Sequence, residues 1–200
     1  MNFDKRRVRT ITKPAVFAVA FLAVTVVSFT APAQARANCP AGVVVEKAGN
    51  RLIAAAKAGT RSKFLSILQK YGDIPYIATR AIGKNRKKLP SNQRAKYNDL
   101  VALYMAKGLS EHARKFTGHS FKIVRCKSNR VETSILRGTR SHKIVWKLRN
   151  KGGYKIVDIN VQSIWVAEAL KTDLARVMTE NKGDYRALFS YLDKWSKQSW

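Results

Sequence analysis

The chain has 200 residues, 46% of them hydrophobic, enough for one domain with a real core and too few for two large ones. Its 39 Lys and Arg stand against 12 Asp and Glu, a formal net charge of +27 that points to polyanions as partners, either nucleic acid or an anionic membrane surface. A Gly-rich phosphate loop, an HExxH pair and a nucleophile beside its base are all missing from the sequence, which argues against nucleotide-driven, zinc-dependent and covalent catalysis.

The first 37 residues run from basic "MNFDKRRVRTITK" through apolar "PAVFAVAFLAVTVVSFT" to "APAQARA", the order of a secretory signal peptide. The rival is a retained anchor, because residues 11–31 are nearly long enough to span a bilayer. Pro14 interrupts the run, however, and Ala33-Gln34-Ala35 and Ala35-Arg36-Ala37 supply small-x-small cleavage sites. We therefore expect a cleaved signal peptide over 1–37 and a single domain over 38–200, exported by the general route. The residues around Arg6-Arg7 fit twin-arginine export poorly, and Cys39 lacks a lipoprotein setting. Cleavage removes six basic residues and one acid and leaves a net charge of +22. Export makes a membrane surface the better polyanion.

Cys39 and Cys126 are the two cysteines, and both would lie in an oxidising compartment. They are expected to pair.

In chain order, Val44, Ala48, Leu52 and Ala55 mark one face of a helix that Gly59 stops. Phe64, Ile67, Leu68 and Tyr71 repeat the pattern up to Gly72, and Asp73 with Pro75 opens a short third helix that ends near Gly83. The basic loop "KNRKKLPSNQR" leads into the longest helix, predicted over 91–116 from the spacing of Tyr97, Leu100, Val101, Tyr104, Met105, Leu109 and Phe116. From Ser120 the period changes to two. "SFKIVRC", "RVETSIL", "SHKIVWKLR" and "GYKIVDINVQ", joined by short turns, predict a four-stranded antiparallel meander. Helical spacing resumes after Ser163 through Val166, Leu170, Leu174 and Val177, and a last helix from Asp184 carries Leu188, Tyr191, Leu192 and Trp195. This order is α+β: N-terminal helices, a curled four-stranded sheet, and C-terminal helices on one side of it.

The three histidines, His112, His119 and His142, lack the spacing of metal ligands. Asp158 is the one acid in an apolar strand, either a general base or, the reading favoured here, a structural partner for Arg125, Arg137 or Lys171. Lys84, Arg86, Lys87 and Lys88 form the sharpest charge cluster. Without interleaved aromatics they suit a membrane or a protein partner better than nucleic acid, so no specific nucleic acid is expected. One greasy sheet face under amphipathic helices makes either a filled core or a lipid-sized cavity, and the pattern alone favours the filled core.

Two segments carry a family resemblance. "GDIPYIATRAIGKNRKKLPSNQRAKYNDLVALYMAKGLSEHA" resembles an Asp-x-x-x-Ile/Val-x-x-x-x-Leu-Gly segment followed by a t-P-x-Q-r-x-x-F helix, with Asp73, Pro75, Tyr76, Gly83, Pro90, Gln93, Arg94 and Tyr97 in those places. "GGYKIVDINVQSIWVAEALKTDL" resembles GGWKVyDVxVEGvSLvxxyRxqF. Both patterns belong to the MlaC or toluene-tolerance family of periplasmic phospholipid-binding proteins, which includes a branch associated with hopanoid synthesis. Gln162-Ser163 stand where Glu-Gly is usual, Trp165 replaces Ser, Lys171 replaces Arg and Leu174 replaces Phe.

The resemblance implies an apolar cavity inside the fold and a non-enzymatic carrier without cofactor or metal. Such a carrier shuttles phospholipid between an inner-membrane ABC transporter complex and an outer-membrane lipoprotein complex. The expected wall is Tyr76, Ile77, Tyr97, Val101, Tyr104, Ile144, Trp146, Val157, Ile159, Val161 and Trp165, and the expected assembly is a monomer. To lift a lipid from a bilayer the cavity must offset about 0.8 kcal/mol per methylene, or roughly 24 kcal/mol for two chains of about fifteen. The alternatives are a secreted basic polyanion-binding module and, less favoured, a small hydrolase or isomerase.

Overall fold

The computed structural model describes residues 39–112, 117, 120–137 and 139–197. The expected signal peptide, His119, Phe116 and the Arg137 side chain lie outside the described residues.

Three helices come first. α1 (Pro40–Ala58) starts with Pro at its first position and stops at Gly59, whose φ of 66° is left-handed and suits glycine. α2 (Arg61–Tyr71) ends at Gly72, where a Cβ would meet the Leu68 carbonyl oxygen at 2.7 Å. α3 (Ile74–Ile82) begins as predicted, with the Asp73 carboxylate accepting the Tyr76 N–H at 3.2 Å and Pro75 in its first turn. The basic segment forms a 3-10 helix, Gly83–Lys88, and a second one, Ser91–Gln93, precedes α4 (Arg94–Glu111).

The sheet follows: β1 (Ser120–Lys127), β2 (Arg130–Arg137), β3 (Arg140–Asn150), β4 (Tyr154–Val161) and β5 (Ile164–Trp165), in that spatial order and antiparallel throughout. The fifth strand corrects the expected four. Gln162 and Ser163 both take positive φ, 50° and 67°, which is the conformation of a tight two-residue hairpin, so the chain doubles back on β4 before α5 (Val166–Glu180) begins. Neither Asn nor Gly stands at the turn to announce it. α6 (Tyr185–Lys197) closes the described chain.

The registers divide the sheet into two faces. Val131, Thr133 and Ile135 of β2 lie opposite Trp146, Ile144 and His142 of β3, and Trp146 and Ile144 lie opposite Ile159 and Val161 of β4. This inner face packs on α1, α2 and the Ala106–Leu109 end of α4. A separate apolar cluster, formed by α3, the Tyr97–Val101 end of α4, α5 and α6, sits among the helices themselves. α4 therefore serves two cores with its two ends, which explains its weak single-face pattern.

Cys39 and Cys126 form a disulfide, with Cα atoms 6.3 Å apart and a sequence separation of 87, which fixes the start of α1 to β1. Gly42 lies against it, since a Cβ there would come within 3.2 Å of Cys126 Sγ.

Candidate functional site: an apolar hollow under the sheet

Two adjoining hollows lie between the inner sheet face and the helices, with volumes of about 50 and 80 Å³. Each exceeds the 10–15 Å³ or so that a single water needs, yet their walls are apolar, the condition under which cavities stay dry. Leu52 of α1, Leu109 of α4, Trp146 of β3, Ile159 of β4 and Val166 of α5 line both. Trp146 is the hub. Its indole N–H donates to Thr133 Oγ1 at 2.8 Å, that hydroxyl reaches the Ile144 carbonyl at 3.4 Å, and Phe121 meets the indole edge-on at 6.1 Å. The polar edge of the tryptophan is thereby satisfied inside the sheet, leaving its ring to the hollow. Small residues on α1 make the space: Gly49 faces Phe121, whose ring atoms would lie 2.6 Å from any added Cβ.

Of the eleven expected wall residues the structure brings six together. Ile77, Trp146, Val157 and Ile159 line the first hollow, and Ile144 and Val161 join Trp146 and Ile159 around the second. Val157 reaches the wall through a bulge, because the register steps from Lys147↔Asp158 to Leu148↔Ile156 and leaves it as the extra residue. That bulge puts both Ile156 and Ile159 on the wall, although strict alternation would place them on opposite sides of a regular strand.

The other five lie elsewhere. Tyr97 and Val101 are buried in the helical cluster, where the Tyr97 hydroxyl donates to the Ala78 carbonyl at 3.0 Å and burial pushes its ionisation well above the ordinary range. Tyr104 belongs to a polar knot in which it and Tyr191 both donate to Asp173 Oδ2. The Tyr76 ring lies under the guanidinium of Arg149, 4.5 Å from its centroid. Trp165 pairs with Asn160 in β5 and so points to the outer face of the sheet, where the Lys147 ammonium stands 3.7 Å from its ring centroid. The unexpected fifth strand is what turned it away.

Sequence reasoning missed the helical half of the wall, chiefly Leu52, Ile53, Phe64, Ile67, Met105 and Leu109. The signal was present in the run of small residues along α1, Ala48, Gly49, Ala55 and Ala56, which cannot fill the space that they face.

Asp158 is the one acid on the rim. Its Oδ1 accepts the N–H groups of Ile159 and Ala167, each at 2.9 Å, so its described partners are backbone donors in place of the expected Arg125 or Lys171, while the Arg137 side chain lies outside the described residues. Ala167 is in the first turn of α5, whose own preceding residue, Trp165, offers no side-chain cap. An acceptor already holding two backbone donors is poorly placed to take a substrate proton. Among the described residues no three His, Cys, Asp or Glu are grouped to hold a metal.

The four basic residues Lys84, Arg86, Lys87 and Lys88 are exposed on the 3-10 helix. Lys88 lies across Gly183 in the α5–α6 turn, where any Cβ would collide with its ammonium. No helix among the described residues is long and apolar enough to cross a membrane.

The MlaC protein family matches residues 44–194. Among solved structures, the fold is similar to that of the phospholipid-binding protein from Ralstonia solanacearum, determined in complex with a phospholipid, with a TM-score of 0.66 and 16% identity over 78% of this chain and 96% of that one. No curated protein matches. With three quarters of its length matched to the family, including every element that walls the hollow, the chain belongs to the MlaC family.

Proposed function

We propose that this protein is a periplasmic lipid carrier that holds the acyl chains of a phospholipid in the hollow under its sheet and passes the lipid between membrane complexes. The observation that carries the reading is the pair of adjoining apolar hollows sharing Leu52, Leu109, Trp146, Ile159 and Val166. A related fold from Ralstonia solanacearum that holds a phospholipid supports it.

As they stand, the hollows are much smaller than two acyl chains. Loading requires them to merge around Trp146 and widen. The disulfide pins the start of α1 to β1, so widening falls to the far end of α1 and to α2, which swing away from the sheet about that pin. The apolar walls then close on methylenes at about 0.8 kcal/mol each, replacing what the bilayer supplied. Because donor, carrier and acceptor all bury the chains, transfer needs only small affinity differences, and the direction is set by an ATP-using partner. In this reading residues 1–37 are a cleaved signal peptide, 38–200 act as a monomeric domain, and the carrier exchanges lipid with an inner-membrane ABC transporter complex and an outer-membrane lipoprotein complex, with Lys84, Arg86, Lys87 and Lys88 available to a partner. No bond is made or broken, so no catalytic group is assigned.

The test is lipid uptake. Delipidated protein incubated with phospholipid vesicles and separated from them is expected to carry extractable phospholipid, and a Trp146→Glu variant that still folds to carry far less. Equal lipid content in the two proteins contradicts the assignment of the hollow.

A further inference from the structure

The outer face of the sheet is a second, differently built surface. β-register fixes its composition, because directly paired residues point to the same side. Lys127, Arg130 and Lys147 stand in one cross-strand row, the first two paired with each other and Arg130 paired with Lys147. Lys143 lies opposite Ser134, which lies opposite Lys122, and Arg149 lies opposite Lys155. Two acids share the face. Glu132 is held by Lys143 at 2.8 Å and Arg130 at 3.5 Å, and Asp158 gives one carboxylate oxygen to two backbone N–H groups.

Like charges directly opposite on adjacent strands are destabilising, yet this sheet stacks three in one row and two in another. Arg149 and Lys155 are half-buried against the helices, with Arg149 3.4 Å from the Asp73 carboxylate and Lys155 donating to the Lys70 carbonyl at 2.6 Å, but Lys122, Lys127, Arg130, Lys143 and Lys147 are all exposed. Trp165 shares this face, since it pairs with Asn160, which pairs with Val145, while its neighbour Ile164 pairs with Val161 and points to the inner side. The Trp165 ring is held by Lys147, whose ammonium stands 3.7 Å from its centroid. Arg149 and Lys155 border a surface hollow of about 290 Å³ whose lining includes Gly72, and Gly72 also lines the first apolar hollow.

We propose that the outer sheet face is a docking surface for an anionic phospholipid bilayer. The cations meet the headgroup phosphates, and Trp165 enters the interfacial layer in the manner of an amphipathic anchor. A cationic area with one aromatic ring at its edge fits a lipid surface better than a polynucleotide, which asks for several aromatics interleaved among the cations. The continuity through Gly72 places the acyl hollow next to the docked edge. The inference extends the carrier reading but uses none of the hollow's inner wall residues, so the two fail separately.

The experiment is sedimentation of the mature protein with vesicles of phosphatidylcholine alone and of phosphatidylcholine mixed with phosphatidylglycerol, at low and high salt. Partitioning is expected only onto the anionic vesicles and is expected to weaken with salt. Each cation removed should lower it about fivefold, so a Lys127→Gln, Arg130→Gln, Lys147→Gln variant should lose roughly a hundredfold. A Lys57→Gln, Lys63→Gln control, altered on the helices across the sheet, should retain most of its binding. Equal loss in both variants overturns the assignment to this face. Equal binding to neutral vesicles, or no vesicle binding with retention instead on a nucleic-acid duplex or on polyglutamate, overturns the proposal. Extractable phospholipid is measured in the same samples. Lipid retained without vesicle docking sinks the docking face alone, and docking by a protein that never takes up lipid sinks the carrier reading alone.

Discussion

The carboxylate of Asp158 accepts the backbone N–H of Ala167 at 2.9 Å, so an acid on β4 caps a helix nine residues further along the chain. α5 begins directly after a two-residue strand with Trp165 where a capping residue would stand, and its first-turn N–H groups would otherwise be left to water. Asp158→Ala is expected to cost about 1–2 kcal/mol of stability, and Asp158→Asn, which keeps an acceptor, clearly less. Urea unfolding of the three proteins checks this, and equal midpoints would remove Asp158 from its capping role.

Two buried aliphatics, Ile144 and Val101, belong one to the hollow and one to the helical core. Ile144 is 4% exposed on the wall of the second hollow, and Val101 is fully buried in the cluster of α3, α4, α5 and α6. Ile144→Asp places a charge where acyl chains are proposed to lie and is expected to abolish lipid retention in the protein that folds. Leu174→Ala, in the same cluster as Val101, should cost about 2–5 kcal/mol while leaving lipid content per folded molecule unchanged. Lipid extraction read alongside circular dichroism distinguishes the two effects.

Asp173 joins α4, α5 and α6. Burial raises the energy of its charged form, but hydrogen bonds from Tyr104, Arg176 and Tyr191 outweigh that and hold its carboxyl below the ordinary range. A depressed carboxylate pKa contributes stability that is complete above the ordinary value, near about 3.9, and is lost as pH falls through the lower native value. Wild type should therefore lose more stability than Asp173→Asn as pH drops from about 6 to about 3. Parallel losses in the two proteins would contradict this account of the knot.

The Cys39–Cys126 crosslink spans 87 residues, for which chain entropy gives about 4–5 kcal/mol at most. Reduction, or a Cys39→Ala, Cys126→Ala variant, should lower the melting temperature markedly and loosen α1 from β1. Mass spectrometry of the unreduced protein should find no free thiol.

The hairpin between β4 and β5 holds two non-glycine residues in left-handed conformations. Gln162→Asn with Ser163→Gly supplies the residues this turn favours and is expected to stabilise the protein by about 0.5–1 kcal/mol in thermal unfolding. No gain would mean that β5 is positioned by Trp165 and Lys147 and not by its turn.

The sequence was most readable where one side chain controls the local backbone. Gly59, the Asp73–Pro75 pair and the cysteine pair each mark a feature that the structure contains. Periodicity was enough to place four strands of the sheet meander, and Ile144, Trp146, Ile159 and Val161, expected on the wall from the family resemblance, line one hollow together. Periodicity was blind at three places. The bulge at Val157 breaks alternation, the glycine-free turn at Gln162-Ser163 conceals β5 and sends Trp165 outward, and α4 divides its apolar residues between two cores, so Tyr97, Val101 and Tyr104 looked like one stripe with Leu109. Long-range pairing, which periodicity does not encode, decides all three.

Native mass spectrometry of the protein, expressed from the full chain and purified without detergent, tests the central claim most directly. The carrier account predicts a species heavier than the polypeptide by one phospholipid, which releases that lipid on activation. A bare polypeptide mass, unchanged after incubation with phospholipid vesicles, would contradict it.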